Sequence, residues 1–155
     1  MKVNNRRDSA VLETVQSILE RKGGEIRHIL PDATVFEAIA EMARWGIGAL
    51  LVVADARLTG ILTERDYARK VILLGRSSHQ TRVSEIMTPS PITVTPETGV
   101  DECMRIMTDR RCRHLPVVEN GELRGIISIG DLVNAIIQAQ AFTIDQLHMY
   151  IRAGS

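Results

Sequence analysis

Aromatic side chains are scarce in this chain: two Phe, two Tyr and one Trp among 155 residues. Its core must therefore be aliphatic, drawn from Val, Ile, Leu, Met and Ala. No stretch approaches the roughly 20 apolar residues of a membrane span. The opening residues, MKVNNRRDSA, are polar and lack the apolar centre of a signal peptide. The expectation is a cytoplasmic protein with no membrane contact. Cysteine is limited to Cys103 and Cys112, with no CxxC. That excludes a disulfide scaffold and leaves two free thiols in a reducing compartment. Arg111, Arg113 and His114 flank Cys112, so its thiol pKa is expected to be lowered. His28, His79, His114 and His148 show no ligand spacing, and no metal is expected. Charge of one sign is lacking too: 19 Lys and Arg balance 19 Asp and Glu. This disfavours a nucleic-acid partner, because neutralising a phosphate backbone needs a basic surface. No Walker loop, dinucleotide glycine fingerprint or Ser-His-Asp set is visible. Neither a catalytic residue nor an enzyme activity is expected.

What is present is a duplication. Residues 31–72, PDATVFEAIAEMARWGIGALLVVADARLTGILTERDYARKVI, fall on 96–137, PETGVDECMRIMTDRRCRHLPVVENGELRGIISIGDLVNAII, with no gap. The offset is 65 residues (31 to 96), and the identical pairs include Val35/Val100, Met42/Met107, Leu50/Leu115, Gly60/Gly125 and Asp66/Asp131. Upstream, Val15-Gln-Ser-Ile-Leu matches Val83-Ser-Glu-Ile-Met at an offset of 68 (15 to 83). The difference is three extra residues around Lys22-Gly23-Gly24 in the first copy.

Each copy reads in the same order. Short apolar strands are predicted over 26–30 and 92–95, each ending at a proline. A helix follows, with Val35, Ala38, Ile39 and Met42 on one face, repeated as Val100, Cys103, Met104 and Met107. Two hairpins come next, over 49–53 with 58–62 and over 115–118 with 123–127. A second helix begins near Glu64 and near Ile129. The fold class is therefore α/β (α+β): two βαββα repeats packed pseudo-symmetrically, because neither copy alone is long enough to bury its sheet. The expected segments are repeat 1 over 15–74, a linker over 75–82, repeat 2 over 83–138 and a C-terminal helix over 139–155. Residues 1–14 form a polar arm. Thr143-Ile-Asp-Gln146 is a capping-box pattern, and Trp45 is expected to pack on the neighbouring repeat or on a dimer partner.

Both copies also carry Gly-h-h-[Thr/Ser]-x-x-Asp, where h is apolar: Gly60-Ile-Leu-Thr63-Glu-Arg-Asp66 and Gly125-Ile-Ile-Ser128-Ile-Gly-Asp131. Ile86-Met-Thr-Pro89, Pro91-Ile-Thr-Val94 and His114-Leu-Pro-Val-Val118 accompany the second copy. With this spacing the chain resembles a tandem cystathionine-β-synthase (CBS) domain pair, or Bateman module, over residues 15–138. The resemblance implies two clefts for an adenine nucleotide: AMP, ADP, ATP or NAD, ahead of S-adenosylmethionine. It implies that Thr63 and Ser128 meet the phosphate–ribose part and that Asp66 and Asp131 accept from ribose hydroxyls. By position, Arg27, His28 and Ile29 would border adenine in the Asp131 cleft. Ser90, Pro91 and Ile92 would border it in the Asp66 cleft. Arg113 and His114 occupy a basic pair that reaches phosphate in some family members. The family also implies a homodimer and a regulated partner protein in trans.

The chemistry fits those assignments. A carboxylate accepts two hydrogen bonds, which suits a cis-diol. A hydroxyl at a helix N-terminus sits beside free N–H groups that favour phosphate. Arginine can chelate phosphate through two N–H bonds. The first copy has Gly48-Ala49 in place of Arg113-His114, but Arg65, Arg69 and Lys70 follow Thr63. Those cations suit either a solvated helix face or a longer polyphosphate. A plain helix cap of Thr63 by Asp66 and of Ser128 by Asp131 is the alternative reading and needs no ligand; the glycine, the strand before it and the repeat favour the nucleotide, and one hydroxyl can serve both roles.

Overall fold

The computed structural model describes residues 13–153, so most of the expected N-terminal arm lies outside the described residues. The chain forms two compact units. Of the described residues, 13–24, 94–117 and 125–153 make one, and 25–93 with 118–124 make the other.

In the second of these, the sheet runs β1 (His28–Ile29), β2 (Ala49–Ala54), β3 (Arg57–Thr63) and β4 (Thr88–Pro89), in that order. β1 pairs parallel with β2 through His28↔Leu51 and Ile29↔Val52, and the other pairings are antiparallel. Helix α2 (Val35–Trp45) covers it, started by a capping box between Thr34 and Glu37 and stopped by Gly46 in the left-handed region, φ 63°. Of the predicted apolar face, Val35, Ala38 and Met42 are buried with Leu50, Val52, Leu62 and Val71, and Ile39 packs against them half-buried.

The second copy repeats the packing of a helix on a hairpin with α5 (Val100–Arg110) and β5–β6 (His114–Glu119, Glu122–Ser128). Its core joins Val100, Cys103 and Met107 to Leu115, Val117, Ile127 and Leu132. The expected strand over 92–95 shrinks to one parallel bridge, Val94↔Val117. The cause is local: Val94 N–H donates to Pro116 O at 3.0 Å, but Pro116 has no N–H to return. The equivalent position in the first copy is Leu51, and there the pairing extends to two residues.

The segment before each repeat completes the core of the other copy. In α1 (Val15–Lys22), Val15 and Ile18 are buried among the residues of the second repeat. Val15 N–H donates to Thr98 O, Gln16 N–H to Pro96 O, and Val100 N–H to Glu13 O, at 2.9–3.1 Å. The short helix α4 (Val83–Ile86) repeats the pattern against the first repeat: Val83 to Ala33 O, Ser84 to Pro31 O, and Val35 to Thr81 O, at 2.8–3.0 Å.

The second helix of repeat 2, α6, does not stop at the predicted boundary. It runs unbroken over Ile129–Ala153. Thr143 caps nothing: its hydroxyl donates back to Ala139 O at 3.0 Å, the bond a mid-helix threonine makes. No glycine or proline lies between Leu132 and Ala153 to end the helix.

Candidate functional site

β3 ends at Thr63, which leads into the short helix α3 (Glu64–Tyr67) and a π-turn over Ala68–Ile72. Thr63 and Asp66 form a reciprocal cap. Thr63 Oγ1 accepts from Asp66 N–H at 3.1 Å, and Asp66 Oδ2 accepts from Thr63 N–H at 3.0 Å. The other carboxylate oxygen, Oδ1, meets Lys70 Nζ at 3.2 Å. Lys70 also donates to Ile86 O of α4 at 2.9 Å. Thr63, Asp66 and Lys70 are thus brought together, with Lys70 spent on the carboxylate and a backbone carbonyl. Arg65 and Arg69 lie beside them on exposed positions.

The same turn recurs where β6 enters α6. Ser128 Oγ accepts from Asp131 N–H at 3.1 Å, and Asp131 Oδ2 accepts from Ser128 N–H at 2.9 Å. The cation comes from elsewhere: Lys22 at the end of α1 donates to Asp131 Oδ2 at 2.9 Å and to Ile126 O at 3.1 Å. Burial alone would push the Asp131 carboxyl up. The Ser128 and Lys22 hydrogen bonds and the Lys22 charge outweigh it and hold the group below its ordinary value.

Arg113 and His114 flank this second turn. Arg113 O accepts the first N–H of α6, from Ile129, at 2.8 Å. Gly48 O takes the matching bond from Glu64 N–H at 3.0 Å. The predicted exchange of Gly48-Ala49 for Arg113-His114 therefore falls at equivalent points of the two turns, and Arg113 is exposed.

Glycines fit the strand just before each turn. A Cβ on Gly60 would come within 2.6 Å of Met87 Sδ and 2.9 Å of Thr88 O, and one on Gly125 within 2.8 Å of Leu19 Cδ2.

His28 and Ile29 form β1, with Ile29 in the core. Arg27 stacks its guanidinium 3.3 Å from the centre of the Trp45 ring. Trp45 itself donates to Glu41 Oε2 at 2.9 Å; this is the packing it finds within its own unit. Ser90, at φ 46°, turns the chain after β4 and donates to Thr59 O at 3.2 Å. Pro91 and Ile92 follow it, half-buried and exposed.

Lys22 escaped the sequence reading, because it stands in the three-residue insertion that breaks the repeat register. Cys112 behaves opposite to the expectation from its basic neighbours. Its thiol is pushed up, not down: burial outweighs a backbone hydrogen bond and the Arg110 charge. Cys103 is buried and pushed up to about 11.

A helix, a β-hairpin and a second helix occur twice in the chain, and each copy closes its last strand with a hydroxyl–carboxylate turn, the mark of a tandem-repeat module. The family model for the CBS domain matches residues 12–72 and again 83–138, and the chain belongs to that family. A solved protein with CBS domains from Burkholderia ambifaria MC40-6 is 52% identical, with a TM-score of 0.78 over 81% of this chain and 94% of that one. The mitochondrial CBS domain-containing protein CBSX3 of Arabidopsis thaliana is 41% identical over 91% of this chain and 73% of its own length. The CBS domain pair of protein MJ0100 shares the fold at 24% identity, with a TM-score of 0.70 over 79% of this chain and 94% of that one. Among the described residues no helix is long and apolar enough to cross a membrane.

Proposed function

We propose that this chain is a regulatory module that binds an adenine nucleotide (AMP, ADP, ATP or NAD, ahead of S-adenosylmethionine) at the turns of Asp66 and Asp131. The observation that carries the reading is the doubled turn, Thr63–Asp66 and Ser128–Asp131, with the same reciprocal bonds in both copies. CBS pairs generally bind adenosine ligands and regulate. The MJ0100 pair is in complex with 5-methylthioadenosine and S-adenosyl-L-methionine.

The two turns differ in what they offer. At Asp131 the long helix α6 presents its N-terminus, and Arg113 and His114 stand beside it, a set suited to phosphate. At Asp66 the helix is a single turn, and the cations are Arg65, Arg69 and Lys70. The ribose diol competes with Lys22 or Lys70 for the carboxylate. The displaced ammonium is then available to phosphate, so both turns favour a nucleotide over a neutral nucleoside. Helix caps and ligand contacts coexist here, because a carboxylate has room for more than two acceptor bonds.

Signalling in this reading is differential binding: the nucleotide favours one arrangement of the module, and a partner protein in trans, or the oligomer, responds. We take the protein to act as a homodimer, without catalysis, in the cytoplasm. A solved hexameric CBS-CP12 protein, 31% identical with a TM-score of 0.71, is an assembly of related chains.

Thermal unfolding in the presence of each nucleotide tests the reading. A ligand at 100 times its Kd adds about 2.7 kcal/mol to stability, a shift of several degrees. No shift with any adenine nucleotide at millimolar concentration contradicts it.

A further inference from the structure

The last turns of α6 are rich in apolar residues. Residues 140–153 are all exposed, yet they include Phe142, Ile144, Leu147, Met149, Tyr150 and Ile151. A helix so apolar is normally covered.

The spacing indicates by what. Val133, Ile137, Gln140, Ile144, Leu147 and Ile151 follow one another at steps of 4, 3, 4, 3 and 4. This is the heptad alternation of a coiled-coil seam: isoleucine at each a position (Ile137, Ile144, Ile151), and Val133, Gln140 and Leu147 at d. The stripe spans about 27 Å of helix. It lies about a third of a turn from Leu132, Ala135 and Ala139, which α6 buries in its own unit. Its apolar members are 44–66% exposed.

Charge points the same way. One residue in four of the chain is charged, but from Leu132 to Ala153 the full charges are Asp145 and Arg152 alone, both off the stripe. The positions flanking the seam, including Ala141, Thr143, His148 and Tyr150, carry no like charges to repel an identical helix. An interfacial membrane helix carries a basic polar face, and Arg152 is the sole Lys or Arg in this stretch.

We infer that this stripe is a self-association seam, covered by the same helix of a second copy in a parallel two-stranded coiled coil. β-Branched residues at a with leucine at d favour two parallel strands, and here Ile137, Ile144 and Ile151 fill a while Leu147 fills one d position; a polar side chain in such a seam lowers its stability. Gln140 supplies that side chain. The inference rests on the homodimer part of the proposal above and locates its interface.

Sedimentation equilibrium of the full chain, with and without phosphatidylcholine–phosphatidylserine vesicles, tests it. The wild type is expected to be a dimer at 100 µM or below, on the order expected of a seam this short. Gln140→Leu should tighten the dimer at least ten-fold, and it does so without any risk of unfolding the monomer being mistaken for the effect. Ile144→Asp with Leu147→Asp should give a monomer whose core melts as the wild type does. Asp145→Lys, off the seam, should leave the dimer unchanged. A wild-type dimer that neither tightens with Gln140→Leu nor dissociates with the double variant overturns the seam alone. A monomeric wild type overturns the seam and the homodimer together, and co-sedimentation of that monomer with the vesicles would assign the stripe to a membrane surface.

Discussion

Lys22 and Asp131 stand 109 positions apart in the chain and 2.9 Å apart in the fold. This pair ties the end of α1 to the start of α6, and Lys22 reaches Ile126 O with the same ammonium. Because the lysine side chain is 40% exposed, the pair is worth about 1 kcal/mol at most, less than its distance suggests. Lys22→Met should lower stability by about that amount at neutral pH, read as the urea midpoint.

The pair also gives a pH signature. The Asp131 carboxyl sits below its ordinary 3.8 in the folded protein, so the unfolded chain binds the proton more readily. Its contribution to stability is complete above the unfolded value and is lost as pH falls through the lower folded value. Asp131→Asn should therefore be less stable than wild type at pH 7, and the gap should close as pH falls below about 4. A gap that widens on acidification would contradict this assignment.

Glycine-to-alanine changes should separate the two copies. At Gly60 the new methyl meets a backbone oxygen, Thr88 O, as well as Met87, so β4 must move; a cost of about 1–3 kcal/mol is expected. At Gly125 it meets only the end of the Leu19 side chain, which can rotate, and the cost should be below about 1.5 kcal/mol. Thermal melts of the two variants give the order.

Neither thiol should behave as a sensor. Cys103 is fully buried and pushed up to about 11, and burial raises Cys112 as well. The thiolate is the reactive form. Labelling with a disulfide reagent at pH 7 should be slower at both than at a free cysteine in unfolded protein, and denaturant should release two equivalents. Rapid labelling of one thiol in native protein would contradict this.

Much of this was legible in the sequence because duplication writes each structural requirement twice. The face Val35, Ala38, Met42 and its copy Val100, Cys103, Met107 are buried in their separate cores. The hydroxyl–carboxylate pairs close the turns that their spacing predicts. What stayed hidden depended on partners distant in sequence. Lys22 makes an ion pair with no counterpart in the other copy, where Asp66 uses Lys70 from its own helix. The rise in the Cys112 pKa follows from burial, which its basic neighbours in sequence do not reveal. The short pairing at Val94 follows from a proline on the facing strand. Thr143 reads as a cap until the unbroken helix around it is seen.

The central claim is that Asp66 and Asp131 hold a nucleotide. Isothermal titration of wild type, Asp66→Ala and Asp131→Ala with AMP, ATP, NAD and S-adenosylmethionine tests it most directly, with circular dichroism to establish that each variant is folded. The account predicts binding of a phosphate-bearing adenine nucleotide, lost or weakened at least ten-fold in Asp131→Ala, and weakened by Arg113→Ala as well. Absence of binding by the wild type, with the variants merely melting earlier, would contradict it and leave both aspartates as helix caps.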